Sequence, residues 1–61
     1  MIQLCKLNNE EILINEDQVE SITSIPETKI IMMNREFYLV KESGREVIDK
    51  IVKFKQRILQ Q

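Results

Sequence analysis

The apolar residues of this chain change their spacing once, after Glu42, and that change decides what the chain can fold into. Before it, β-branched and apolar residues come in short runs broken by polar pairs, the spacing of strands and turns. After it, Val47, Ile48, Ile51, Val52, Phe54, Ile58 and Leu59 recur at helical intervals and share an arc of about 160°. Glu46, Asp49, Lys50, Lys53, Gln56, Arg57 and Gln60 fill the opposite arc. Ser43 and Glu46 have the spacing of a capping box, in which each side chain satisfies the other residue's free N–H. The pattern predicts an α+β domain: a five-stranded antiparallel β-meander over residues 1–42, then one C-terminal amphipathic α-helix within 43–60, regular from 44 to 59. No linker, repeat or low-complexity stretch interrupts it, so residues 1–61 are expected to form a single domain.

The strands are expected at Ile2–Leu7, Glu11–Asn15, Val19–Ile25, Lys29–Met33 and Glu36–Lys41. Asn8-Asn9-Glu10 reads as the first hairpin turn, because Asn tolerates the left-handed backbone that tight turns need. Glu16-Asp17-Gln18 reads as a polar corner. Pro26-Glu27-Thr28 turns the chain, with Pro presetting its own φ and the Thr28 hydroxyl satisfying turn backbone groups. Asn34-Arg35 centres the second hairpin. Arg is an awkward second residue for a two-residue loop, which suggests a longer one.

Several chemistries lack their residues. There is no His and a single Cys, so a Cys/His zinc site or a His-based nucleophile pair cannot be assembled within the chain. One Gly cannot supply a phosphate-cradling loop. Cys5 reads as a small buried hydrophobe in a reducing compartment. The pairs Glu10-Glu11 and Glu16-Asp17 read as solvated turn tips rather than catalytic carboxylates, and no cofactor is expected. The longest apolar run, Ile30-Ile31-Met32-Met33, falls far short of a membrane span, and Lys6, Glu10 and Glu11 break any secretory signal. A cytoplasmic protein is expected.

Two features ask for a partner. Ile12-Leu13-Ile14, Ile30 to Met33 and Phe37 to Val40 are continuous apolar runs, which suit strands covered on both faces. One helix shields one face of a small sheet. The other face requires closure into a barrel, a second copy or a different protein, and a homo-oligomer is expected. Charge is also segregated. Residues 1–42 carry four basic and eight acidic side chains, whereas 43–61 carry five basic and two acidic ones. Lys50, Lys53 and Arg57 lie within about 60° on the outer helix face. They serve either as helix-stabilising charges or as a docking strip for an acidic protein surface or anionic lipid. Lys55 projects from the apolar arc; it either snorkels or marks where the stripe divides into two contact surfaces. Glu20 reads as an outward edge charge or a partner contact. Tyr38 is the one candidate platform for stacking RNA bases, with Phe37 and Phe54 assigned to the core.

Particular residues also carry a resemblance over almost the whole length. They are Met1-Ile2-x-Leu4, Leu7-Asn8, Asn15 with Val19-Glu20-x-Ile22, Pro26-Glu27-Thr28-x-Ile30, Val40-x-Glu42-Ser43 and Val47. In these the chain resembles the small flagellar proteins of the FlbD family, which includes the swarming motility proteins called SwrD. Asn9 and Arg35 stand where that family commonly has Gly. The resemblance implies a non-enzymatic accessory of the flagellar apparatus, linked to motor power through the stator units and to swarming. It would be cytoplasmic or peripheral at the inner face of the membrane, and its partners would be motor or stator components. It carries over no binding residue. Lys50, Lys53, Arg57, Glu20 and Tyr38 are therefore the candidate interaction surface on physical grounds, and a small RNA-binding regulator of motility genes is the alternative function.

Overall fold

The computed structural model of the protein describes residues 1–59, without the side chain of Leu59. Gln60, placed above on the polar arc and at the end of the helical segment, lies outside the described residues, as does the side chain assigned to Leu59. The elements are β1 (Ile2–Cys5), β2 (Glu11–Ile14), a 3₁₀ turn at Glu16–Gln18, β3 (Val19–Thr23), β4 (Thr28–Met32), β5 (Phe37–Val40) and α1 (Gly44–Leu59). The fold is α+β, with five antiparallel strands and one C-terminal helix. The strands divide into a β1–β2 hairpin and a β3–β4–β5 sheet. The break falls at the 3₁₀ turn. Among the described residues, an antiparallel bridge between Lys6, just past β1, and Val40 of β5 links the two sheets.

Both hairpins turn by the same device. Lys6 N donates to Glu10 O at 2.8 Å and Asn9 N to Lys6 O at 3.0 Å. Met32 N donates to Glu36 O at 2.8 Å and Arg35 N to Met32 O at 2.9 Å. Asn8 Oδ1 accepts from Glu10 N, and Asn34 Oδ1 accepts from Glu36 N, each at 3.0 Å. Asn9 and Arg35 both have positive φ, 72° and 73°. These are three-residue loops closed by a left-handed residue. Leu7-Asn8-Asn9-Glu10 and Met33-Asn34-Arg35-Glu36 are thus one turn motif used twice.

The third strand stops at Thr23 rather than Ile25. Ser24 and Ile25 lead into a cis peptide bond at Pro26, which has no N–H for a ladder. Thr28 belongs to β4 rather than to the turn: it is buried and sits opposite Val40. That corrects its assignment as a turn hydroxyl.

Ile2, Leu4 and Ile14 from the hairpin meet Ile30 and Val40 from the sheet and Val47 from the helix in one core. Full burial of such side chains contributes about 1.5–3 kcal/mol each. Ile22, Met32, Tyr38, Ile51 and Phe54 pack around them. Ser43 and Glu46 start the helix as expected: Glu46 N donates to Ser43 Oγ at 3.1 Å and Ser43 N to Glu46 Oε1 at 3.3 Å. The apolar helix arc divides. Val47, Ile51 and Phe54 join the core, whereas Ile48 and Val52 remain 49% and 47% exposed.

The outer face of the β3–β4–β5 sheet pairs Ile31 with Phe37 and Lys29 with Leu39. Phe37 is 54% exposed there, and the Lys29 ammonium lies 4.4 Å from its ring centroid. Assigning Phe37 to the core was therefore wrong. Strand alternation sends Tyr38 inward and Phe37 outward.

Candidate binding groove

The first residues of β1 and the middle of α1 flank a groove of 530 Å³. Met1, Ile2 and Gln3 line one wall; Lys50, Lys53, Phe54, Gln56 and Arg57 line the other. The charged side chains of the lining are Lys50, Lys53 and Arg57, with Glu42 paired to Lys50 beside it. The helical period brings Lys50, Lys53 and Arg57 to the flank beside β1, and Phe54, between that flank and the core, adds an apolar surface.

Strand geometry explains why a groove opens here. Adjacent positions in an antiparallel strand send their backbone polar groups to alternate edges. Lys6 donates to Glu10 across the hairpin, so Leu4 and Ile2 bond to β2 in turn. Gln3 and Cys5 consequently face the other edge. Lys41 N donates to Cys5 O at 2.8 Å, and Leu7 N to Leu39 O at 3.2 Å. Past Cys5 the chain of β5 turns away into α1, and two side chains continue in its place. The Glu42 carboxylate accepts from Cys5 N at 3.0 and 3.1 Å. The Lys50 ammonium donates to Gln3 O at 2.7 Å and lies 3.6 Å from Glu42.

The five candidate residues therefore separate. Lys53 and Arg57 are exposed on the groove wall. Lys50 lines the same wall, but its ammonium engages β1 and Glu42 rather than pointing outward from the helix. Glu20 is exposed on β3, an edge strand whose register shifts between Val19 and Ser21. A bulge carrying a charge is a common protection of such an edge, so Glu20 sits apart from the groove. Tyr38 is half-buried against the core, with its hydroxyl 3.4 Å from Glu36, and is not among the residues lining the groove. Gln3, Glu42 and Phe54 belong to the site but were missed. Nothing in their spacing announces that Glu42 and Lys50 meet beside a strand.

A second ionic cluster holds the other flank of the helix. Glu16 was expected to be a solvated tip, yet its side chain is only 4% exposed, with Oε1 2.6 Å from the Met1 amino nitrogen. Lys55 donates to Asp17 and lies 3.7 Å from Glu16 Oε2. Its place in the apolar arc thus reflects an ion pair rather than snorkelling alone. The hydrogen bond from the Met1 ammonium, assisted by backbone hydrogen bonding, holds the Glu16 carboxyl below its ordinary pKa, against the opposing effect of burial. The Asp17 hydrogen bond lifts Lys55 above its own ordinary value, again against desolvation.

Fold and groove together define a small α+β domain whose distinctive chemistry is an open, basic surface cleft. The chain belongs to the FlbD family, flagellar and swarming motility proteins, whose profile matches residues 1–59. This is a motility family rather than an enzyme family. No curated protein and no solved structure matches the chain.

Proposed function

We propose that this family member is a non-catalytic accessory of the flagellar motor, supporting stator function and swarming by binding a protein of the motor. The observation that carries this reading is the groove: Lys53 and Arg57 stand exposed beside Phe54 on its helix wall. Positive charge next to a partly exposed aromatic side chain suits a protein contact more than catalysis. No described helix is long and apolar enough to cross a membrane. The protein would work from the cytoplasm, at the inner membrane face where the motor sits. Phe37, with Ile31 and Leu39 beside it on the outer sheet face, supports self-association through that face.

Motility tests the reading. Cells carrying Lys53→Glu with Arg57→Glu should swarm poorly and show reduced motor torque, with the purified variant still folded. Unchanged torque would exclude the groove as the functional surface. Retardation of RNA by the purified protein at physiological salt would replace this reading with the regulatory one.

A further inference from the structure

We infer that the groove receives an extended acidic segment of a partner protein as an added strand on the free edge of β1. The inference rests on the reading just given and names the binding mode of the same site.

The edge is already prepared for a strand. β5 runs beside β1 only as far as the bonds at Leu7 and Cys5. Beyond that point Gln3 turns its backbone N–H and C=O toward the groove, on the same edge as Cys5. The positions a neighbouring strand would fill are taken by side-chain surrogates. Glu42 supplies the carbonyl-like acceptor to Cys5 N, and Lys50 supplies the amide-like donor to Gln3 O. A peptide continuing the line of β5 would donate to Gln3 O in place of Lys50 and accept from Gln3 N. Strand addition of this kind takes affinity from the main chain and specificity from alternate side chains.

The surrogate pair also sets the chemistry of the guest. Displacing the Lys50 ammonium from Gln3 removes one of its two acceptors. A neutral strand provides no replacement anion, whereas an acidic strand brings carboxylates to Lys50, Lys53 and Arg57 together. Successive side chains of a strand point to opposite sides, so acidic residues at alternate positions would lie on one side of the guest. Apolar residues between them would lie on the other. The Glu42–Lys50 pair therefore acts as a selective plug: it blocks indiscriminate pairing at the edge and yields to a negatively charged strand.

The test uses the full chain, isotopically labelled for amide NMR, and a fluorescent peptide in which Glu and Val alternate. Binding should shift the Gln3 amide and weaken as salt is added. Methylating the peptide's backbone nitrogens at alternate positions, in either of the two phases, leaves its charge unchanged. One phase should weaken binding at least tenfold and the other should not. Lys53→Glu with Arg57→Glu should also weaken it at least tenfold, and a Lys–Val peptide should not bind. Equal affinity for both methylated peptides and the parent would overturn strand addition, even if the charge-reversed variant still impaired motility. An unmoved Gln3 amide would do the same. Binding to vesicles containing anionic lipid without binding to the acidic peptide would assign the groove to the membrane and overturn the inference.

Discussion

Asn9 and Arg35, at the tips of the two hairpins, hold the same left-handed backbone conformation, with φ of 72° and 73°. Asn reaches that conformation with little strain, whereas a long side chain such as Arg costs about 1–2 kcal/mol there. Arg35→Gly should therefore stabilise the protein by about 0.5–1 kcal/mol after the entropy Gly adds to the unfolded chain. Asn9→Gly should change little. Urea unfolding of the two variants checks the contrast; an unstable Arg35→Gly protein would mean that Arg35 makes a contact outweighing its strain.

Removing the helix cap should have a visible effect. Ser43→Ala leaves the Glu46 N–H without its side-chain acceptor and should cost about 1 kcal/mol. Ser43→Asp should restore most of it. Thermal unfolding measures both.

Lys50 and Lys53 should differ in kind although both lie on the groove. Lys50→Met gives up a charge-assisted hydrogen bond to Gln3 and should lower stability by about 1 kcal/mol. Lys53→Met should leave stability within about 0.5 kcal/mol of the parent, as is usual for an exposed position. Equal losses in denaturant titrations would contradict the role of Lys50 as a stand-in for a strand.

The ionic cluster predicts a pH profile. Glu16 titrates lower in the folded state, so its contribution is present above the ordinary glutamate value of about 4.3 and disappears as pH falls through the folded value. Lys55 titrates higher when folded, so its contribution is complete below about pH 10.4 and disappears as pH rises through the folded value. Glu16→Gln should flatten the acid limb of stability against pH, and Lys55→Met the alkaline limb. Unfolding midpoints across the range read both limbs.

Self-association should depend on the outer sheet face. Sedimentation of the parent should show an oligomer that dissociates with Phe37→Ser, whereas Ile48→Ser on the helix should leave it assembled. A monomeric parent at high concentration would end that part of the reading.

Local patterns proved readable where one short stretch determined the outcome. Ser43 and Glu46 announced the cap, the apolar spacing from Val47 announced the helix, and Asn8-Asn9 announced a turn. The groove was legible only in outline. Helical spacing placed Lys50, Lys53 and Arg57 together but could not show that Lys50 reaches a strand 47 positions away. The inward turn of Tyr38 and outward turn of Phe37 depend on the register of β4 with β5, which continuous apolar runs leave undetermined. Glu16 looked like an ordinary exposed acid because its cations come from both ends of the chain.

The ties at Lys50 and Lys55 reach out from opposite sides of one rod, like guy ropes on a mast. A residue inserted between them would swing one anchor about 100° around the axis, so both could not be kept. Length changes should therefore be tolerated far better at the hairpin tips than along this stretch of six residues, where bearing and rotation are set together.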